Sequence, residues 1–425
     1  MLISSSGMLM DMLRQHELLS REQLAQLPHF STGRCGDARS FAKALIQRGW
    51  LSVYQVNQLL SGNAAELVIG PYYVLDKLGQ GGLSTVYQGK HREHGNLVAI
   101  KIIKPEVFAS PEGRQQFLQE VEAMARLDHE NIVQFCDADQ WKNTFYFAME
   151  YVDGTDLGKV VRLSGALPVY EACDYIRQAA LGLQHAFERN LIHRDIKPVN
   201  LFLTQVSCDT RSAAAALFAT RNDPAPTSKK STLMMRSLIK ILDWGLASVR
   251  CPIGSGADAA QENVSRSIVG TADYLAPEQA RNANLADMRS DIYSLGCTFY
   301  FLLTGQPPFP DGTLMQKILQ HQTAEPRPID DFRTDVPPAV TMLIQRMMAK
   351  DPEKRFQTPA SAALALLPFS RRPAGQSYSS LMPVLRAKPV SRDDTPIPPN
   401  LAARADRQTG ADDTACPNAD DSKKS

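Results

Sequence analysis

The chain has 425 residues, 44% of them hydrophobic and 21% charged, with a formal net charge of +1. That is enough apolar sequence for a large core and more than one domain, and the charge balance provides no one-signed field to favour nucleic acid or an anionic membrane. Seven cysteines (Cys35, Cys136, Cys173, Cys208, Cys251, Cys297, Cys416) are scattered without a Cys-x-x-Cys pair, which fits neither a zinc site nor a disulfide framework and points to reduced thiols in a cytoplasmic protein.

The first residues lack a basic lead and a sustained apolar core, and no apolar run approaches about 18 residues, so neither a signal peptide nor a membrane span is expected. From Leu13 to Leu27 and again from Leu45 to Leu59 the same pattern recurs in register, with Leu, Gln, Leu-Ser, Gln, Gln and Leu in both copies. Each copy reads as helix, tight turn, helix. Ser20 and Gln23, then Ser52 and Gln55, stand at capping-box spacing, where each pair can satisfy orphan amides of the second helix. Residues 1–67 are therefore expected to form a small helical repeat module that folds separately, bracketed by Gly62-Asn63 and Gly70-Pro71. It reads either as a docking or regulatory surface for a partner or as a stabilising extension. Its near-balance of acidic and basic residues argues against nucleic acid, because no phosphate-neutralising charge is present.

Tyr72 begins a strand that runs into Gly79-Gln80-Gly81-Gly82, where glycines let backbone amides approach phosphate oxygens. The β-branched run 97–103 carries one inward-looking lysine, Lys101, which requires an anion. On the helix that follows, Val121 and Met124 recur at helical spacing, and Glu120 lies beside that face within reach of Lys101; Glu122 competes with it. Residues 145–154 read as a strand that empties into a connector between two lobes.

An apolar helical run then leads into His193-Arg194-Asp195-Ile196-Lys197-Pro198-Val199-Asn200 and the strand-like Leu201-Phe202-Leu203. An acid, a cation and an amide this close together can orient a hydroxyl, screen a transferring phosphoryl group and hold a metal. A second strand, 239–242, ends in Asp243-Trp244-Gly245. Asn200 and Asp243 are hard oxygen donors of the kind Mg²⁺ takes. Between these strands, residues 205–238 form a long insertion, expected to be disordered and exposed. From residue 370 to 425 no periodic apolar face remains, and a solvated tail is expected.

On these motifs the segment from Tyr72 to Phe369 resembles the eukaryotic-like (Hanks-type) protein serine/threonine kinases of bacteria. The resemblance implies an α+β bilobal protein-kinase fold, with a small β-rich N-lobe and a larger helical C-lobe, preceded by the helical module. It implies ATP and Mg²⁺ as cofactors and protein substrates. By the same resemblance Gly79, Gly81 and Gly82 would cover the phosphates, Lys101 would hold the α and β phosphates, and Glu120, better placed than Glu122, would orient Lys101. Met149 would guard the adenine pocket, Glu150 to Val152 would offer backbone hydrogen bonds to the base, Val86, Ala99 and Phe202 would sandwich it, and Asp156 would touch the ribose.

Asp195 would orient the substrate hydroxyl and Lys197 steady the γ-phosphoryl, with Asn200 and Asp243 holding the metal. Ser265 and Ser267 would carry activating phosphates opposite Arg194, Thr271 would contact Asp195 and Lys197, Glu278 would pair with Arg355, and Asp291 would anchor the catalytic loop. Two positions depart from the family pattern. Ser84 replaces the third loop glycine, and Trp244 replaces a phenylalanine, which puts the balance of active and inactive states in question more than the chemistry. A nucleotide-binding scaffold without transfer is opposed by the intact set Lys101, Glu120, Asp195, Asn200 and Asp243.

Overall fold

The computed structural model describes residues 5–27, 37–82, 84–105, 111–209, 233–244, 272–282 and 286–371. The N-terminal stretch forms helices α1 (Ser6–Gln15), α2 (Arg21–Gln26), α3 (Ala38–Gln47) and α4 (Val53–Leu60). Both anticipated capping boxes are formed, Ser20 with Gln23 at the start of α2 and Ser52 with Gln55 at the start of α4. Leu9, Leu13, Leu27, Phe41, Leu45 and Leu59 are buried.

A six-stranded antiparallel sheet follows, in the order β1-β2-β3-β4-β6-β5, made of β1 (Val68–Ile69), β2 (Tyr72–Gln80), β3 (Ser84–His91), β4 (Leu97–Ile103), β5 (Phe135–Trp141) and β6 (Thr144–Glu150). Its two faces separate by the period-2 rule. On one face Ala99, Ile103, Phe147 and Met149 join the main core beneath helix α5 (Pro111–Met124); on the other Val74, Val98, Ile100, Tyr146 and Ala148 pack into one cluster with the N-terminal helices.

This corrects the expectation of a separately folding module. The helices and the sheet share a core, and burying side chains such as Val74, Val98 and Ile100 is worth roughly 1.5–3 kcal/mol each, as an upper estimate. Trp141 Nε1 also donates to the Val68 carbonyl at 3.2 Å, and the Tyr73 hydroxyl to the Glu17 carbonyl at 2.6 Å. The junction turns at Gly70, whose φ is +53° and where a Cβ would lie 2.3 Å from the Tyr146 hydroxyl. Only glycine fits there.

The larger lobe is helical around α7 (Val169–Phe187) and α9 (Met288–Thr304), with α6 (Leu157–Ser164), α8 (Pro277–Arg281), α10 (Leu314–Thr323), α11 (Pro338–Met347) and α12 (Pro359–Leu366). A three-stranded sheet, β7 (Gly154–Asp156), β8 (Leu201–Asp209) and β9 (Leu233–Ile241), lies at its upper edge. Here the expected disordered insertion, 205–238, is corrected at both ends. Gln205 pairs with Ser237, and the ladder continues without a slip to Asp209 opposite Leu233. Once Leu201–Thr204 has paired with 238–241, each further pair extends an existing ladder and needs no new loop closure. Residues 210–232, and the expected tail from 372 onward, lie outside the described residues.

Candidate active site

The loop 193–200 is fixed from below by a buried carboxylate. Asp291, on α9, accepts the His193 and Arg194 backbone N–H groups, both at 2.8 Å. Burial pushes the Asp291 carboxyl above its ordinary value, partly countered by His193 and these two amides. Arg194 takes a left-handed conformation, φ +64°, and its carbonyl accepts a 3.0 Å hydrogen bond from Gln279 Nε2. A non-glycine residue there is strained and persists because its neighbours determine it from both sides.

Asp195, Lys197 and Asn200 converge. Lys197 Nζ lies 2.9 Å from Asp195 Oδ2, while Asn200 Nδ2 donates to the Asp195 carbonyl at 2.8 Å and approaches its Oδ2 at 3.4 Å. With its nitrogen so engaged, the Asn200 amide keeps its oxygen for another partner. The Leu242 amide donates to the Asn200 carbonyl at 2.9 Å, tying this loop to the residue before Asp243. His193 Nε2 sits 2.8 Å from the Leu242 carbonyl.

Asp243 is also left-handed, φ +62°, and its carboxylate meets Lys101 Nζ at 2.7 Å. Desolvation raises the Asp243 pKa, but the Lys101 ammonium, His193 and Lys197 together hold the carboxyl below its usual value. Lys101 is 3% exposed and its ammonium lies 5.6 Å from the centre of the Phe147 ring. The Asp243 carboxylate is thus a partner of Lys101, on which the sequence had placed Glu120. The backbone turn after β9 delivers Asp243 within hydrogen-bond reach of β4, and Glu120 is half-buried on α5.

Trp244 is buried, its ring centre 4.8 Å from that of His193, and it lines an apolar cavity with Met124, Leu127, Phe135, Phe147 and Met149. The larger indole is therefore accommodated in the space under α5.

The other predicted residues that the structure describes lie on the strands, turns and helices on either side of these groups. Val86 stands opposite Lys101 in the ladder and Ala99 opposite Met149, while Phe202 is half-buried on β8. The Gly81 amide donates to the Ser84 carbonyl at 2.8 Å, closing the turn. Gly79 and Gly81 have no positive φ, and a Cβ at Gly79 would point into open space. Among the described residues neither backbone conformation nor packing requires glycine at these two positions. Gly82 sits at the tip, and Val152 is half-buried beyond β6.

Asp156 caps α6, its Oδ1 accepting the Lys159 amide at 2.7 Å. Glu278 is held by Arg355 through two bonds, 2.7 and 2.9 Å, and Arg355 spends its remaining donors on the carbonyls of Ala349, Arg289 and Lys350. Ser265, Ser267 and Thr271 lie outside the described residues.

The contacts of three residues at the site were not anticipated from the sequence. His193 and Gln279 brace the loop around Arg194 and Asp195, and nothing local to the sequence announces either contact. Lys240 pairs with the Glu150 carboxylate, which also accepts the Gln134 amide at 2.9 Å. A lysine inside the apolar strand 239–242 was the available clue.

The family described as protein kinase domain matches residues 72–365. Among curated relatives, the serine/threonine-protein kinase Pkn1 of Myxococcus xanthus is 32% identical over 329 residues, covering 76% of this chain and 42% of the relative. The serine/threonine-protein kinase PknB of Mycobacterium leprae is 29% identical over 300 residues, 70% of this chain and 42% of the relative. The chain thus spans less than half the length of these relatives. Among solved structures, the PknI kinase domain of Mycobacterium tuberculosis is 25% identical with a TM-score of 0.50, covering 71% of this chain and 97% of that one. Rad53 in complex with AMP-PNP, at 24% identity and a TM-score of 0.52, covers 74% and 70% and shares the fold.

Proposed function

We propose that this chain, which belongs to the protein kinase domain family, transfers the γ-phosphoryl group of ATP to serine and threonine hydroxyls of proteins, including its own. The observation that carries the reading is the convergence of Asp195, Lys197 and Asn200 on one loop that is hydrogen-bonded to the backbone beside Asp243, with Lys101 meeting Asp243 across the cleft.

In this reading Asp195 orients the attacking hydroxyl and accepts its proton, and Lys197 steadies the negative charge of the transferring group. Gly79, Gly81 and Gly82 place backbone amides against the phosphates, and Lys101 binds the α and β phosphates. The donor set fits a hard cation: the Asn200 amide oxygen and the Asp243 carboxylate would hold Mg²⁺, which when bound neutralises charge between the phosphates. Glu120, on α5, orients Lys101. Val86, Ala99, Met149 and Phe202 enclose the base, the Glu150 to Val152 backbone hydrogen-bonds it, and Asp156 offers the ribose its second carboxylate oxygen. Ser265 and Ser267 would carry the activating phosphates, and Thr271 would position the substrate segment.

Among the described residues no helix is long and apolar enough to cross a membrane, and we place the chain in the cytoplasm. The N-terminal helices are the candidate surface for a docking partner. The test is purified protein incubated with Mg-ATP and mapped by mass spectrometry. Phosphoserine and phosphothreonine in the wild type, absent from Asp195→Asn, support the proposal; an unmodified wild type that also leaves general protein substrates unmodified ends it.

A further inference from the structure

The two copies of the N-terminal repeat are not used alike. In the first, the hydrogen bonds of Ser20 and Gln23 among the described residues stay local: they cap α2, and the Ser20 hydroxyl donates to Glu22. In the second, the capping box faces the sheet and does a second job. Ser52 Oγ accepts the Gln55 amide at 3.0 Å and donates to the Leu75 carbonyl; Gln55 Oε1 accepts the Ser52 amide at 2.9 Å, and its Nε2 donates to the Val74 carbonyl at 2.8 Å. Gln55 is 4% exposed.

The place they grip is irregular. Val74 pairs with Gly89 and Asp76 with Gln88, so Leu75 is an extra residue with no opposite number on β3. Such a bulge leaves backbone groups outside the ladder and bends the strand; here the hydroxyl of Ser52 takes the Leu75 carbonyl. Four residues on stands Gly79. On the returning strand, the Tyr54 ring of α4 packs 6.1 Å from the ring of Tyr87, close behind the turn. Helix α4 therefore holds both strands of the glycine-rich hairpin from the face opposite the cleft.

We propose that Ser52 and Gln55 are positioning residues for the glycine-rich turn, so that the N-terminal helices set the affinity for nucleotide. The inference rests on the proposed function only in taking that turn as the phosphate cradle. The bulge is one of two points where β2 can bend before the turn, the other lying between Lys77 and Gly79, and a bond that fixes the Leu75 carbonyl fixes the direction in which the strand sets out toward the turn.

The experiment uses the full chain, with Mg-ADP binding measured by calorimetry and steady-state rates measured against ATP. Ser52→Ala is compared with Ser20→Ala, which removes the same kind of cap without touching the sheet. Ser52→Ala is expected to weaken Mg-ADP binding and raise KM for ATP by about two- to tenfold, the worth of one net hydrogen bond, with kcat changed less than about twofold by the same measure. Ser20→Ala is expected to leave both constants unchanged while lowering thermal stability comparably, and Ser52→Thr is expected to restore them. Should Ser52→Ala not fold, Gln55→Met, which keeps the side-chain volume, carries the same comparison. Equal Mg-ADP affinity in Ser52→Ala and Ser20→Ala overturns the proposal even if phosphotransfer is intact. A protein that binds Mg-ADP but transfers nothing overturns the functional reading, and the binding series then still decides this one.

Discussion

Lys101 Nζ and Asp243 Oδ1 meet at 2.7 Å, joining β4 of the six-stranded sheet to the second residue after β9. The pair brings together the ammonium assigned to phosphate and a carboxylate assigned to metal. Because 45% of the Asp243 side chain is exposed, solvent screens the pair and little global stability is expected from it.

Lys101→Met should therefore act on function before stability. Nucleotide affinity should fall at least tenfold, roughly the worth of one charge-assisted hydrogen bond, while the thermal midpoint moves little. Without the ammonium the Asp243 carboxyl should titrate at a higher pH, which NMR of a labelled aspartate would read. An unchanged Asp243 titration in this variant would contradict the pairing.

Asp195→Asn should lower phosphotransfer by roughly 10²- to 10⁴-fold, the span for a positioned acid or base, with nucleotide binding nearly intact. Asparagine keeps the shape and loses the proton acceptor. Rapid-quench rates and Mg-ADP affinity measured on the same sample separate the two effects.

The Glu278–Arg355 pair should matter for stability in a pH-dependent way. Burial raises the Glu278 pKa, but hydrogen bonds from Arg355 bring it below the ordinary glutamate value. Its contribution is therefore present above the unfolded pKa, about 4.3, and is lost as pH falls through the lower folded value. Glu278→Ala, which strands a guanidinium only 1% exposed, should cost about 3–5 kcal/mol at neutral pH. Urea denaturation should show that gap narrowing as the pH falls below about 4.

Removing residues 1–67 should leave an insoluble or aggregating remainder, because Val74, Val98, Ile100, Tyr146 and Ala148 would lose their cover. A monodisperse, active fragment from Tyr72 to Phe369 by light scattering would show that the sheet does not need the helices.

Phosphorylation of Ser265 or Ser267 should raise activity by engaging Arg194, whose backbone is already fixed by Asp291 and Gln279. Initial rates of dephosphorylated, autophosphorylated and Ser265→Ala/Ser267→Ala protein would be compared. Equal rates in all three would remove the switch.

What the sequence by itself determined was local. Glycine spacing, the lone lysine of 97–103, the 193–200 loop, the residue before Trp244 and both capping boxes are all short-range patterns, and periodicity and backbone chemistry fix what such segments can form. The alternation in β4 and β6 held a further message that went unread: Val98 and Ile100, and Tyr146 and Ala148, are apolar on the face turned away from Lys101 and Met149, so something had to cover them.

Tertiary structure alone decided that Asp243 meets Lys101, since the two are far apart in sequence and only the left-handed turn after β9 brings the carboxylate to β4. It alone decided that the second capping box, and not the first, grips a strand bulge, because the two boxes are the same residues at the same spacing. It also decided that the flanks of 205–238 continue a ladder, since pairing between strands distant in sequence depends on what stands opposite each residue.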